Sequence, residues 1–136
     1  MHGPPDKIYE EAAFLERFRN LLLMEDGRNL WLARATPRVW LQQGQKIRVK
    51  NAPTHFGPVD YEIVSDVDHA KITAAVKMPS RGAPKEVLLR LRHPTSAPIK
   101  GVTVDGKPWN DFDPAKEVVR LHGLIDTVQV DVIYGQ

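Results

Sequence analysis

In the last strand-like stretch of this sequence, Val128, Val130, Val132 and Tyr134 fall on one side of an extended backbone, with Gln129, Asp131 and Ile133 on the other. Side chains on a strand alternate between faces, so such a run buries one face of a sheet and wets the other. The same period of two returns in Ile72, Ala74, Val76 and Met78, in Val59, Tyr61 and Ile63, and in Ile47 with Val49. The predicted strands are Leu21 to Glu25, Leu30 to Ala35, Lys46 to Asn51, Val59 to Ser65, Lys71 to Met78, Glu86 to Arg92, Gly101 to Asp105, Glu117 to Leu121 and Thr127 to Tyr134. No helix-length segment remains between them to build parallel crossovers. Short half-buried strands separated by turn signals therefore predict an all-β, antiparallel β-sandwich of about eight to nine strands.

One stretch breaks the pattern. Ile8, Ala12, Leu15, Phe18 and Leu22 recur at steps of three and four, the spacing of one apolar helix face. It predicts a single N-terminal α-helix from Asp6 to Asn20, with Asp6 as N-cap and Glu10 and Glu11 favourably placed at its positive end. The expected organisation is one domain over 1–136, with a tail and helix in 1–20 and the sandwich in 21–136. At 136 residues the chain is long enough to enclose one core without staples. Most of its 11 prolines fall between the predicted strands, where a missing backbone donor interrupts no ladder.

Charge narrows the function classes. Nineteen Lys and Arg against seventeen Asp and Glu leave a net charge of +2, with the two signs interspersed. No strong field for nucleic acid results. No apolar run approaches the roughly 20 residues that cross a bilayer, and the N-terminus lacks the charged-then-apolar order of a signal peptide. An exported parent protein would carry its signal further upstream, so the compartment stays open. With no cysteine there is no disulfide and no thiolate metal site.

The five histidines are scattered without metal-ligand spacing, and no cofactor is expected. Asp66-Val67-Asp68-His69 is the densest acidic cluster; acids two apart on an extended segment project to one side and would suit a hard cation, although a solvated turn explains them as well. Glycoside hydrolysis needs two carboxyl groups about 5 to 10 Å apart across a sugar, and nothing in the sequence marks such a pair. No G-x-S-x-G nucleophile motif is present. Arg90-Leu91-Arg92-His93 sets alternate charges on one strand face, suited to phosphate or an acidic partner, or simply to water. The aromatic residues Trp31, Trp40, Trp109, Phe56 and Tyr61 offer either stacking platforms for sugars or core packing.

Three stretches carry a family likeness: Phe18 to Glu25 running into Leu30-Trp31-Leu32-Ala33-Arg34-Ala35-Thr36-Pro37, then Asn51-Ala52-Pro53-Thr54-His55-Phe56-Gly57, and Val102-Thr103-Val104-Asp105-Gly106-Lys107-Pro108-Trp109. Together they resemble the C-terminal β-sandwich region of bacterial six-hairpin glycosidase-like proteins. The resemblance implies that catalysis belongs to an α/α toroid outside these residues and that the opening helix is the last helix of that toroid. No catalytic residue is carried over. The expected role is a noncatalytic accessory domain associated with a glycoside hydrolase-like partner, the alternative a carbohydrate-binding module. Trp40, His55, Phe56 and Trp109 are the candidate carbohydrate- or partner-binding residues. Self-association through the N-terminal helix is a further expectation, because its apolar stripe lacks its original partner.

Overall fold

The computed structural model describes residues 7–10, 21–79 and 84–135. Strands β1 (Lys7–Glu10), β4 (Lys46–Ala52), β5 (Val59–Asp66), β6 (Lys71–Lys77), β12 (Thr127–Tyr134), β8 (Ile99–Val104) and β9 (Lys107–Pro108) form one sheet, in the order β1-β4-β5-β6-β12-β8-β9. The second sheet runs β10 (Phe112–Asp113), β11 (Val118–Leu121), β7 (Glu86–Arg90), β3 (Asn29–Leu32), β2 (Leu23–Asp26).

The core lies between the two sheets. Every alternating face anticipated from sequence is inside it: Ile47 and Val49, Val59, Tyr61 and Ile63, Ile72, Ala74 and Val76, and Val128, Val130, Val132 and Tyr134 are all buried. The opposite sheet contributes Leu23, Leu30, Leu32, Val87, Leu89, Val119 and Leu121. A fully buried aliphatic side chain of this kind stabilises the fold by about 1.5 to 3 kcal/mol relative to exposure. Two tyrosines also tie the layers by hydrogen bonds, because a buried hydroxyl must find an acceptor. Tyr61 Oη donates to the Leu22 carbonyl at 2.7 Å and Tyr134 Oη to the Leu91 carbonyl at 3.3 Å.

Turn chemistry sets the hairpins. Asp105 and Gly106 both have positive φ, 51° and 82°, as the two central residues of a type I′ turn require; they join β8 to β9. Gly27, with φ 62°, opens the two-residue connection of β2 to β3.

Three expectations are corrected. The N-terminal helix is not seen at its expected start: residues 7–10 form β1, which pairs in parallel with β4 from Lys7↔Lys46 to Glu10↔Val49. The open N–H and C=O row of β4 rewards an extended Lys-Ile-Tyr-Glu segment more than one solvated helical turn would. The rest of that helix, 11–20, lies outside the described residues, and Leu21 and Leu22 are helical, so β2 begins only at Leu23. The sandwich is mixed rather than antiparallel, since β3 also pairs in parallel with β7. It also holds more strands than eight or nine: β1, β9 and β10 were unforeseen, the last two being two-residue pairings too short to show a period.

Candidate functional site

The four candidate residues sit on three different connections. Trp40 lies in a 3₁₀ turn, Arg38–Leu41, partly buried against the core. His55 and Phe56 occupy the turn between β4 and β5, which is closed by Thr54: its Oγ1 donates to the Gly57 carbonyl at 2.7 Å and accepts from the Phe56 N–H at 3.0 Å. Phe56 is 6% exposed and belongs to the core, so its ring faces are already covered. His55 points outward with its side chain 78% exposed, and its Nε2 meets Glu25 Oε2 at 2.7 Å. This contact pins the turn to β2, because the His55 N–H also donates to Glu25 Oε1.

Trp109 follows β9 and is fixed from several sides. Its Nε1 donates to the Arg120 carbonyl at 2.9 Å, its ring tilts against His122 at 5.2 Å, and its body packs on the core. Around it Asp111 accepts from Arg120 Nη1 at 3.1 Å and stands 2.8 Å from His122 Nε2. Burial raises the Asp111 pKa, but the hydrogen bonds from His122 and Arg120 outweigh it and hold the carboxyl below the usual range. The result is an ionised carboxylate, a guanidinium and two rings at one half-exposed spot.

The Asp66 cluster is a turn. Asp66 Oδ1 stands 2.8 Å from His69 Nδ1 and accepts from Gln43 Nε2 at 3.1 Å, while the Asp68 N–H donates to Gln43 Oε1. The bond to His69 holds the Asp66 carboxyl below its ordinary value, and the same bond raises His69. Ala70 closes this 3₁₀ turn, Val67–His69, in the left-handed conformation with φ 57°. Among the described residues no group of three His, Asp or Glu side chains is arranged to hold a metal ion.

A second polar knot had no signal in the sequence. Glu117, only 7% exposed, accepts from both Arg38 guanidinium nitrogens, at 2.8 and 2.6 Å. Arg38 also donates to the His93 carbonyl, and the His93 N–H approaches Glu117 Oε2 at 3.3 Å. Glu117 adopts φ 59° to aim its carboxylate there. His93 Nδ1 accepts the Thr95 N–H at 3.1 Å, which requires a neutral ring, and burial lowers its pKa accordingly.

Arg90 and Arg92 each reach back to the segment after β3: Arg90 Nη1 donates to the Arg34 carbonyl at 3.0 Å and Arg92 Nη1 to that of Thr36 at 3.3 Å. Arg34 lies over the Trp31 ring at 5.9 Å.

No protein-family model matches the chain, and no curated protein matches it in sequence. Among solved structures it is similar to a cycloalternan-forming enzyme from Listeria monocytogenes, solved with a pentasaccharide substrate, with a TM-score of 0.52 at 10% identity over 77% of this chain. A β-L-arabinofuranosidase of glycoside hydrolase family 127 from Geobacillus stearothermophilus T6 matches with a TM-score of 0.44 at 12% identity over 85% of the chain. The chain spans 10% and 17% of the lengths of those two structures. At such identities the likeness is one of fold: the chain shares a β-sandwich with a small part of a much longer enzyme.

Proposed function

We propose that this chain is a noncatalytic accessory β-sandwich domain, one unit over 1–136, that supports a glycoside hydrolase-like catalytic domain or its interactions. The observation that carries the reading is proportion: a sandwich covering 77% of this chain occupies 10% of the cycloalternan-forming enzyme, as an accessory unit beside a larger catalytic body would. The chemistry of the paired carboxylates agrees. Asp66, Asp111, Glu62, Glu25 and Glu117 are each committed to a histidine or arginine within the domain, whereas a glycosidase acid must keep a proton for the leaving group. His55 on its pinned turn, beside Phe56, and the exposed edges of Trp40 and Trp109 are the contact points this reading assigns. Incubation with a panel of aryl glycosides is expected to give no hydrolysis above background; turnover abolished by changing a single acidic residue would overturn the reading.

A second reading, carbohydrate binding, is favoured by the half-exposed cluster of Trp109, His122, Asp111 and Arg120, which combines rings with ionic hydrogen-bonding groups. Affinity electrophoresis in gels containing soluble polysaccharides tests it: retardation lost in Trp109→Ala supports it, and equal mobility in every gel excludes it.

A further inference from the structure

The outer face of the five-stranded sheet is graded along the strands. The register sets Met24, Trp31, Leu88 and Arg120 in one row across β2, β3, β7 and β11. Two residues to one side lie Asp26, Asn29 and Glu86, which are register partners in turn. Two residues to the other side of Leu88 lies Arg90, with Arg34 beside Trp31 and Arg92 beyond. Across β2, β3 and β7 one end of the face is thus acidic, the middle apolar and the other end basic. Met24 is 38% exposed and Trp31 is half-buried, while Leu88 and Val118 are buried outside the main core cluster.

The charges at the two ends of this face are not matched among the described residues. Among the described residues neither Arg34, Arg90 nor Arg92 pairs with a carboxylate, and neither Asp26 nor Glu86 pairs with a cation. Arg90 spends Nε and Nη1 on the carbonyls of Lys116 and Arg34. Those bonds fix its plane and leave Nη2 for an incoming acceptor. Arg90 is also crowded by like charge: burial first, then Arg92, lowers its pKa, with Arg38 and Arg34 adding and Glu117 opposing.

We propose that this face is the interface of a two-fold symmetric homodimer, in which Glu86 of one copy meets Arg90 of the other. A two-fold axis lying in the interface along the Met24–Trp31–Leu88 row reverses the strand direction and brings the two faces together. Met24 and Trp31, the members of the row that keep exposed apolar surface, then meet their own counterparts. Glu86 and Arg90 stand two residues either side of Leu88 on the same strand, so the operation superimposes one on the other's position. Asp26 and Asn29 approach the Arg34 end in the same way. Such self-complementarity is what an isologous interface requires, and a Met, Trp and Arg patch has the composition of interface centres. Sheets packed face to face in this manner are ordinary sandwich geometry.

Light scattering coupled to size exclusion, over a concentration series, tests the proposal on the whole chain. The wild type is expected to move from monomer to dimer as concentration rises, and to do so less readily in high salt. Glu86→Arg alone and Arg90→Glu alone oppose like charges and should each weaken dimerisation by more than about tenfold. The double variant Glu86→Arg/Arg90→Glu restores opposite charges and should recover most of the loss. Met24→Lys, an exposed change that leaves the core untouched, checks the apolar row should Arg90→Glu fail to fold; it too should give monomer. A wild type that stays monomeric throughout overturns the proposal. So do single variants that dimerise like wild type, or a folded double variant that stays monomeric.

Discussion

Two acid–base pairs of this domain use similar groups to opposite ends. Glu117 and Arg38 close a bidentate pair with the carboxylate side chain 9% exposed and the guanidinium 30%; Asp66 and His69 close a single contact with side chains 37% and 79% exposed. Both stand beside a residue in the left-handed conformation, Glu117 itself in the first case and Ala70 in the second. In the first, the backbone is bent to bring a charge inward and the charge then joins three distant segments. In the second, a turn closes and the charges decorate it. An uncompensated charge in a poorly hydrated site is costly, whereas one left in water costs almost nothing, so only the first pair holds the fold.

The largest expected effect is therefore at Glu117. Glu117→Ala strands the Arg38 guanidinium and the His93 N–H, and should lower unfolding free energy by about 3 kcal/mol, the low end for breaking a buried pair because Arg38 keeps some water. Denaturant titration measures it, and a loss no greater than that of His69→Ala would erase the contrast. Replacing both partners sharpens it: Arg38→Met/Glu117→Leu leaves no orphaned charge, only the His93 N–H without its acceptor, and should be less destabilised than Glu117→Ala alone, giving a favourable coupling energy in a double-mutant cycle. Smaller still is Ala70→Gly. Relief of left-handed strain, about 1 to 2 kcal/mol, less the added freedom of the unfolded glycine, about 0.4 to 1 kcal/mol, predicts a net gain of about 0.8 kcal/mol in the same titration.

The smallest effect is the pH dependence of the exposed pair. His69, raised by its bond to Asp66, contributes stability that is complete below the ordinary imidazole value of 6.5 and is lost as pH rises through the raised value. Asp66, lowered by the same bond, contributes stability that is complete above 3.8 and is lost as pH falls through the lowered value. The difference in melting temperature between wild type and His69→Ala should therefore be greatest between pH 3.8 and 6.5 and shrink on either side. A difference that stays unchanged as pH moves below 3.8 and above 6.5 would mean that the contact carries no charge coupling.

The strands were legible because each is half-buried: alternation is a property of one strand against one core, and Val59 to Ser65 or Thr127 to Tyr134 display it without knowledge of their neighbours. Which neighbour, and in which direction, is decided by the far side of the ladder. The parallel pairing of β3 with β7 therefore left no trace in either segment, and two-residue strands such as Phe112–Asp113 have no period to read. Trp40, Phe56 and Trp109 stand out in sequence as large flat groups, but exposure is not written in residue type; Phe56 went to the core and His55, its neighbour, to solvent. Glu117 was invisible for a similar reason, its partner Arg38 being 79 residues away. The Arg90 and Arg92 alternation was visible, but not that Glu86 mirrors Arg90 about Leu88.

The position of β12 has a bearing on how the molecule comes into being. The last strand in the sequence is an interior strand of the seven-stranded sheet, paired with β6 on one side and β8 on the other. While a ribosome still holds residues 127–134, β6 and β8 each present a bare edge, and at about 5 to 20 residues added per second the nascent chain keeps those edges for seconds. Bare edges are templates for other strands. The sheet can close only once residues 127–134 are free to bridge β6 and β8.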